Sequence, residues 1–113
     1  MPDLFANLDR LLGEAGVVID RPRGLPHPRI PAAIYPVDYG YLPGTTGGDG
    51  DGVDVFLGSA TGTGLGAVVL TADLAKRDVE VKLLVDCTEP ETAAVTAFLN
   101  DTLGIGVRLV RRQ

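Results

Sequence analysis

The sequence predicts an α+β, mostly β fold: a small antiparallel barrel or curled sheet with helices packed on it. A chain of 113 residues has room for one core, so residues 1–113 are expected to form a single domain. Fifteen glycines and eight prolines indicate many turns. The strand-like segments are joined mostly by short turns and not by crossover helices, which favours antiparallel pairing.

The first predicted helix covers residues 3–13. Four leucines recur there at helical spacing. Asp3 is placed to act as the N-cap, and Gly13 lies where the helix is expected to end. We expect this helix to pack on the core or on a partner subunit.

The second predicted helix covers residues 88–103, where Thr88 and Glu91 have the spacing of a capping box. Strand-like patterns fill most of the remaining chain, and short glycine- and proline-containing segments separate them. The predicted strands are 16–20, 33–42 with an interruption at Pro36, 53–57, 67–74, 79–85 and 107–110.

The formal charge of −5 comes with no basic run long enough to follow a nucleic-acid backbone, so no nucleic-acid partner is expected. Cys87 is the single cysteine, which excludes an internal disulfide and fits a reducing compartment. No signal peptide is evident, and no apolar run reaches the roughly 20 residues of a membrane span. We therefore expect a cytoplasmic protein with no membrane partner.

Three aspartates, Asp49, Asp51 and Asp54, lie within six residues on a glycine-rich stretch. Carboxylates this close repel one another unless protons or cations intervene. Oxygen ligands around a compact site suit Mg²⁺ or Mn²⁺. The alternative is a solvated acidic turn, because Asp-Gly pairs are common in turns.

Two other acidic motifs fit this stretch poorly. Counted from Asp49, the sixth and twelfth positions are Asp54 and Ala60, whereas an EF-hand requires glycine and glutamate there. The DxDxV start of haloacid-dehalogenase-type phosphatases follows a buried apolar strand, but Thr45 and Thr46 with two glycines precede Asp49 here. We interpret this second match as coincidental.

Two tyrosines, Tyr35 and Tyr39, precede the acidic turn and can present both hydroxyls on one side of a strand. The whole stretch YPVDYGYLPGTTGGDGDGVDV, residues 35–55, resembles the central signature of family I inorganic pyrophosphatases, YPxNYGY, a spacer and DGDPxDV. The resemblance extends over residues 16–58, and the overall length is similar to that of the shorter bacterial members.

The resemblance implies a five-stranded OB-like barrel with flanking helices. It also implies that Asp49 and Asp54 are metal ligands and that Asp51 takes a proton from water. Tyr39 would bind phosphate near that water, and Tyr35 would support the same wall. Two Mg²⁺ ions, with Mn²⁺ possible, would acidify a bridging water and neutralise phosphate charge.

The segment 21–31 contains four prolines and three arginines, so it is expected to be an ordered loop or a mobile flap. Arginines hold phosphate through paired hydrogen bonds, and a flap can close over substrate. The candidates for substrate binding in this segment are Arg21, Arg23, Arg29 and His27.

The longer enzymes of the family carry further metal aspartates five residues apart, with a lysine two after the second. Asp73 and Asp78 keep that spacing, although Glu80 stands at the position of the lysine and Lys82 lies two later. A second register places Val81 at the second aspartate, beside Lys82. Asp78 is therefore a further candidate metal ligand and Lys82 a candidate for substrate binding, with the register open between these two.

Two functional hypotheses follow. The first is an Mg²⁺-dependent hydrolase that acts on pyrophosphate or another small phosphoanhydride, with a homo-oligomer as the expected assembly. The second is a non-catalytic or repurposed member of the fold that binds a phosphorylated metabolite or partner. The aspartate triplet favours the first hypothesis. The second is favoured by the lack of a C-terminal Tyr-Lys phosphate pair, which the family carries.

Overall fold

The structure, a computed structural model, describes residues 2–113. Six strands and two helices follow one another along the chain, with a short π-helical turn after the second helix. The elements are α1 (Leu4–Ala15), β1 (Val18–Arg21), β2 (Asp38–Leu42), β3 (Val53–Leu57), β4 (Leu65–Asp73), β5 (Asp78–Val85), α2 (Glu89–Ala97), the π-helical turn (Phe98–Thr102) and β6 (Gly106–Arg111). No helix in residues 2–113 is both long and apolar enough to span a bilayer.

The strands form one sheet in the order β1-β2-β3-β5-β4-β6. Every neighbouring pair is antiparallel except β3 and β5, which are parallel. This confirms the α+β, mostly β class in a roughly OB-like, open form. The sheet has six strands, one more than the five expected. The expectation of antiparallel pairing is wrong for β3 and β5. The reason is that the β4–β5 hairpin places β5, not β4, beside β3.

Helix α1 begins as predicted, because the Asp3 side chain accepts a hydrogen bond from the Ala6 N–H at 3.0 Å. It continues past Gly13 and ends at Gly16, which has a φ of 69°. Only glycine adopts this left-handed conformation without strain, so Gly16, not Gly13, terminates the helix.

Helix α2 begins with the predicted capping box. Thr88 Oγ1 accepts from the Glu91 N–H at 3.2 Å, and Glu91 Oε1 accepts from the Thr88 N–H at 2.9 Å. The predicted helix to residue 103 is partly wrong, because the last stretch, Phe98–Thr102, is π-helical. There the Leu103 N–H donates to the Phe98 carbonyl five residues back, at 2.9 Å.

The predicted strand 33–42 is shorter than expected, since regular pairing starts only at Asp38. The preceding residues bond instead to the proline- and arginine-rich segment: the Tyr35 N–H donates to the Leu25 carbonyl and the His27 N–H to the Ala33 carbonyl. Pro26 and Ile34 form an isolated bridge. The segment 21–31 is thus held against residues 33–35.

The two faces of the sheet carry different apolar clusters, because side chains alternate along each strand. Val69 and Leu84 lie in the cluster that packs under α2, together with Phe98 of the π-helical turn. Their chain neighbours Val68 and Leu83 lie in the opposite cluster, which packs under α1 through Leu8. Each face of the sheet is therefore covered by one helix. Polar side chains of the sheet reach solvent where the helix does not cover that face.

Candidate metal and phosphate site

Four polar side chains lie on the α2 face of the sheet, beyond the end of its apolar cluster. Tyr39 on β2 pairs with Phe56 on β3, so its ring contacts that cluster. Asp54 lies two residues before Phe56, and Lys82 lies two before the buried Leu84 on β5. Because alternate residues share a face, Tyr39, Asp54 and Lys82 point the same way, as does Glu80 two residues earlier.

Three carboxylates form a cluster at this position. Asp49, Asp54 and Glu80 each offer one oxygen, and these oxygens lie within 4.8 Å of one another. Asp49 comes from the exposed turn before β3, Asp54 is half-buried and Glu80 is buried. The cluster thus combines one side chain from an exposed turn with two side chains from strands. The sequence prediction includes Asp49 and Asp54 as ligands but not Glu80.

The ammonium group of Lys82 lies against this cluster. It donates to Asp54 Oδ2 at 2.9 Å, to Glu80 Oε2 at 3.0 Å and to the Tyr39 hydroxyl at 2.9 Å. Burial by itself would lower the pKa of Lys82, but the oxygens of Tyr39 and Asp54 raise it further than burial lowers it. Lys82 therefore stays charged at neutral pH and partly neutralises the carboxylates.

Asp54 and Tyr39 both have raised pKa values. Burial raises the pKa of Asp54, and the Lys82 ammonium opposes this only in part. Burial also raises the pKa of Tyr39, whose ring lies 4.7 Å from that of Phe56, centroid to centroid. Tyr39 consequently keeps its proton and can donate it in a hydrogen bond to an anion.

Arg21 adds a second cation above the tyrosines. Its guanidinium carbon lies 5.7 Å from the ring centroid of Tyr35 and 5.8 Å from that of Tyr39. It also donates to the Tyr35 hydroxyl at 2.5 Å. The two tyrosine rings are stacked with centroids 5.4 Å apart. Tyr35 thus positions the guanidinium, and Arg21 faces the same cleft as the carboxylates.

The acidic turn lines a polar cleft of about 500 Å³. The Asp51 N–H donates to Asp49 Oδ1 at 3.0 Å, which fixes the turn around Gly50. The structure brings Asp49, Asp51 and Asp54 to this one cleft, although the Asp51 carboxylate is not part of the three-oxygen cluster. The cleft is also lined by Asp20, Arg21, Tyr39, Tyr41, Gly52, Lys76, Glu80 and Lys82.

The remaining predicted site residues lie in three other places. His27 and Arg29 line a second cavity, of about 220 Å³, next to the cleft. Arg23 is exposed, lines neither cavity, and donates its backbone N–H to Asp38 Oδ1 at 2.8 Å. Asp78 lies at the start of β5, pairs with Asp73 and lines a separate surface depression, so the structure does not bring it to the carboxylate cluster.

Glu80 joins the carboxylate cluster although the sequence did not indicate it as a ligand. The family pattern has a lysine two residues after its second further metal aspartate, and Glu80 precedes Lys82 by that distance. Neither of the two predicted registers places a glutamate at that aspartate position. The spacing to Lys82 was the signal that could have found it.

The donor set fits a divalent cation. Three carboxylates and one ammonium leave a formal charge of −2, and all the donor atoms are oxygens, which Mg²⁺ and Mn²⁺ prefer. Opposite ligands around Mg²⁺ lie about 4.2 Å apart, given metal–oxygen distances near 2.1 Å. Oxygens spread over 4.8 Å must close slightly to reach these distances.

Comparison with known proteins finds one matching family model and similar solved structures. The family model described as inorganic pyrophosphatase matches residues 21–75. The structure of inorganic pyrophosphatase from Thermus thermophilus superposes with a TM-score of 0.57 at 20% identity, covering 83% of this chain and 78% of that one. The family model covers just under half of the chain, and the similarity to the solved structure shows a shared fold.

A second solved structure, that of the inorganic phosphatase from Anaplasma phagocytophilum, superposes on this chain with a TM-score of 0.56. Its identity is 18%, and the match covers 84% of this chain and 81% of that one. No curated protein matches. The chain therefore shares its fold with these solved structures.

The family match ends at residue 75, so it includes the tyrosines and the acidic turn but not Glu80 or Lys82. The pyrophosphatase-like signature therefore supplies Asp49 and Asp54, while the rest of the cluster comes from a part of the chain that the family model does not match.

Proposed function

We propose that this chain is an Mg²⁺-dependent hydrolase of a phosphoanhydride, most directly of inorganic pyrophosphate. The observation that carries the proposal is the carboxylate cluster of Asp49, Asp54 and Glu80, which opens on a cleft that also contains Arg21 and Lys82. Ligands for a divalent cation and side chains for an anion thus line one cavity. The family match over residues 21–75 supports pyrophosphate as the substrate.

Asp49, Asp54 and Glu80 would hold the cation, with Mn²⁺ as a possible replacement for Mg²⁺. A divalent cation bound there would offset phosphate charge and lower the pKa of a nearby water. Asp78 stays a predicted ligand for a further cation, away from this cluster.

The other side chains of the cleft act on substrate and water. Asp51 is exposed at the cleft and is the proposed general base that accepts the proton of the attacking water. The Tyr39 hydroxyl already accepts from Lys82, which leaves its own O–H to donate to a phosphate oxygen. Arg21 offers two N–H groups to a second phosphate, and its contact with Tyr35 orients it.

The test is release of phosphate from inorganic pyrophosphate by the purified protein, with Mg²⁺ and with excess chelator. We expect turnover only with the metal. A phosphate monoester serves as the control substrate and should not be hydrolysed. If pyrophosphate binds in calorimetry but no phosphate is released at any Mg²⁺ or Mn²⁺ concentration, the protein is a binding protein. The comparisons do not favour that alternative.

A cytoplasmic location and a homo-oligomeric assembly stay predictions. The location rests on the single cysteine and the assembly on the pyrophosphatase-like fold. Analytical ultracentrifugation of the purified chain tests the assembly.

A further inference from the structure

A second cavity, of about 220 Å³, opens beside the polar cleft. The two share Arg21, Tyr39, Lys76 and Lys82, so a single ligand can extend from one into the other. The polar cleft contains the acidic turn, whereas the second cavity does not. It is instead bounded on one side by apolar side chains, which neither metal binding nor pyrophosphate binding uses.

The apolar side is built by the π-helical turn and the residues after it. Phe98 and Leu99 are buried in the core cluster and also line the cavity, followed by Leu103 and Ile105. The π-helical hydrogen bond from the Leu103 N–H to the Phe98 carbonyl and a bond from the Ile105 N–H to the Leu99 carbonyl, both 2.9 Å, fix this wall. Single π-helical turns of this kind occur frequently at functional sites.

An aromatic part of the lining adjoins this wall and comes from segment 21–31 and the residues just before β2. The rings of Tyr35 and Phe98 lie 4.8 Å apart, centroid to centroid, and the His27 ring lies 6.2 Å from Tyr35 and within 7° of parallel. Ile30 of the segment 21–31 also lines the space. Such a surface binds flat or branched apolar groups.

Positively charged side chains outnumber carboxylates at the rim of the cavity. Within residues 2–113, Arg21, Arg29 and Lys76 form no salt bridge. The carboxylate of Asp73 is also at the rim, where it accepts backbone hydrogen bonds from Ala75 at 3.0 Å and Lys76 at 3.3 Å. Cations beside an apolar wall match a ligand that is anionic at one end and apolar at the other.

We propose that the substrates of this site include an organic diphosphate, in which one phosphate carries a compact apolar or aromatic group that enters the second cavity. This inference rests on the proposed hydrolase function. The terminal phosphate would lie at the carboxylate cluster, the esterified phosphate at Arg21 and Lys82, and the organic group against Phe98, Leu99 and Leu103. The cavity is smaller than the about 300–1,000 Å³ typical of drug-sized ligands, so the group must be small.

The reaction is hydrolysis of the anhydride bond. The oxygen of water bonds to the terminal phosphorus, and the bond from that phosphorus to the bridging oxygen breaks. The bridging oxygen stays with the organic phosphate, and the water proton passes through Asp51 to solvent. The organic diphosphate trianion and water thereby give an organic monophosphate dianion, hydrogen phosphate dianion and one proton.

The experiment compares kcat/KM for inorganic pyrophosphate, methyl diphosphate, phenyl diphosphate and dimethylallyl diphosphate at saturating Mg²⁺. We expect phenyl or dimethylallyl diphosphate to exceed methyl diphosphate by at least about tenfold, the effect of apolar groups in a matching pocket. The two larger substrates distinguish an aromatic group from a branched aliphatic one. Equal values for all three organic diphosphates would overturn the inference.

Two matched variants test whether the preference for larger diphosphates depends on the second cavity. Leu103→Trp fills the cavity, whereas Leu109→Trp alters a similarly half-buried leucine that packs on the same core cluster but does not line the cavity. Leu103→Trp should lower the ratio of kcat/KM for the larger diphosphates to that for methyl diphosphate, which measures their advantage, to about one. Leu109→Trp should keep the advantage. Loss of the advantage in both variants alike would overturn the inference.

Calorimetry with methylene-bridged analogues separates this inference from the proposed function. Tighter binding of the phenyl ester of methylenediphosphonate than of its methyl ester, lost in Leu103→Trp, supports the apolar cavity even if no substrate is hydrolysed. In that case the hydrolase proposal alone fails. If pyrophosphate is hydrolysed but both analogues bind equally and Leu103→Trp changes neither, the hydrolase proposal stands and the organic-diphosphate inference fails.

Discussion

The ammonium of Lys82 lies 2.9 Å from Oδ2 of Asp54, across the parallel strands β3 and β5. Both side chains are largely buried, with 10% and 18% of their surfaces exposed. A charge in this position needs its partner, because an unpaired buried charge is costly. Lys82 therefore stabilises the carboxylate cluster before any cation binds, and removing it has consequences for both stability and metal binding.

Lys82→Met should lower the free energy of unfolding by about 3–5 kcal/mol, the usual cost of breaking a buried ion pair. It leaves Asp54 and Glu80 without a counter-charge, so millimolar Mg²⁺ should restore part of the loss. Urea denaturation with and without Mg²⁺ measures both effects. Lys76→Met is the control, since Lys76 is exposed and forms no ion pair; its change should stay within about 0.5 kcal/mol.

Glu80→Gln should weaken Mg²⁺ or Mn²⁺ binding by at least about 10–100-fold, the range seen even when residues behind the ligands are changed. Asp78→Asn is the matched comparison on the same strand, and we expect it to leave the affinity at the cluster unchanged. Isothermal titration calorimetry with each metal gives the affinities. A loss in Asp78→Asn with none in Glu80→Gln would instead support the ligand set read from the sequence.

Asp51→Asn should reduce turnover of pyrophosphate by about 10²–10⁴-fold while keeping most of the metal affinity, since the amide has nearly the same shape but cannot accept a proton. Asp54→Asn should instead weaken metal binding, so that extra Mg²⁺ restores part of its activity. Turnover across an Mg²⁺ titration separates the two roles. Full activity of Asp51→Asn at saturating metal would exclude it as the general base.

His27 should titrate below its ordinary pKa of 6.5. Desolvation lowers the pKa first, followed by repulsion from Arg21, Lys76 and Arg29. As His27 is the single histidine, one imidazole resonance in an NMR pH titration reports it. Arg29→Gln should raise the midpoint. An unshifted midpoint in the parent protein would contradict the arrangement of cations around the cavity.

The same shift has a stability consequence. Between pH 6.5 and the lowered pKa, the unfolded chain binds more protons at His27 than the folded chain does. The free energy of unfolding should therefore fall as pH is lowered through this window and be unaffected by His27 above it. His27→Gln should remove that part of the pH dependence in denaturation curves.

Local signals in the sequence predicted much of the fold. Asp3 and the Thr88–Glu91 capping box mark helix starts because they act through neighbouring N–H groups. The parallel pairing of β3 with β5 could not be predicted in this way, since it depends on contacts between segments distant in the chain. The π-helical turn was missed because apolar periodicity does not distinguish it from an α-helix.

The candidate site likewise combines residues that are close in sequence with residues that only strand pairing brings together. Asp49, Asp51 and Asp54 are close in sequence, so their convergence could be predicted from the turn alone. Glu80 and Lys82 reach the cluster only through the register of β5 against β3, in which Val55 pairs with Leu83. One sequence does not specify that register, so the roles of Asp78 and Lys82 stayed open between two alternatives, neither of which placed Glu80 at the cluster.

The parallel ladder between β3 and β5 also bears on how the chain folds. β1, β2 and β3 can form as one local meander and β4, β5 and β6 as a second local unit, but the β3–β5 contact requires the two to dock. Pairings between distant segments form slowly because loop closure precedes them. Asp54 and Glu80 thus become neighbours only at this docking step, so a nascent chain that has not yet released β5 from the ribosome has no complete metal site.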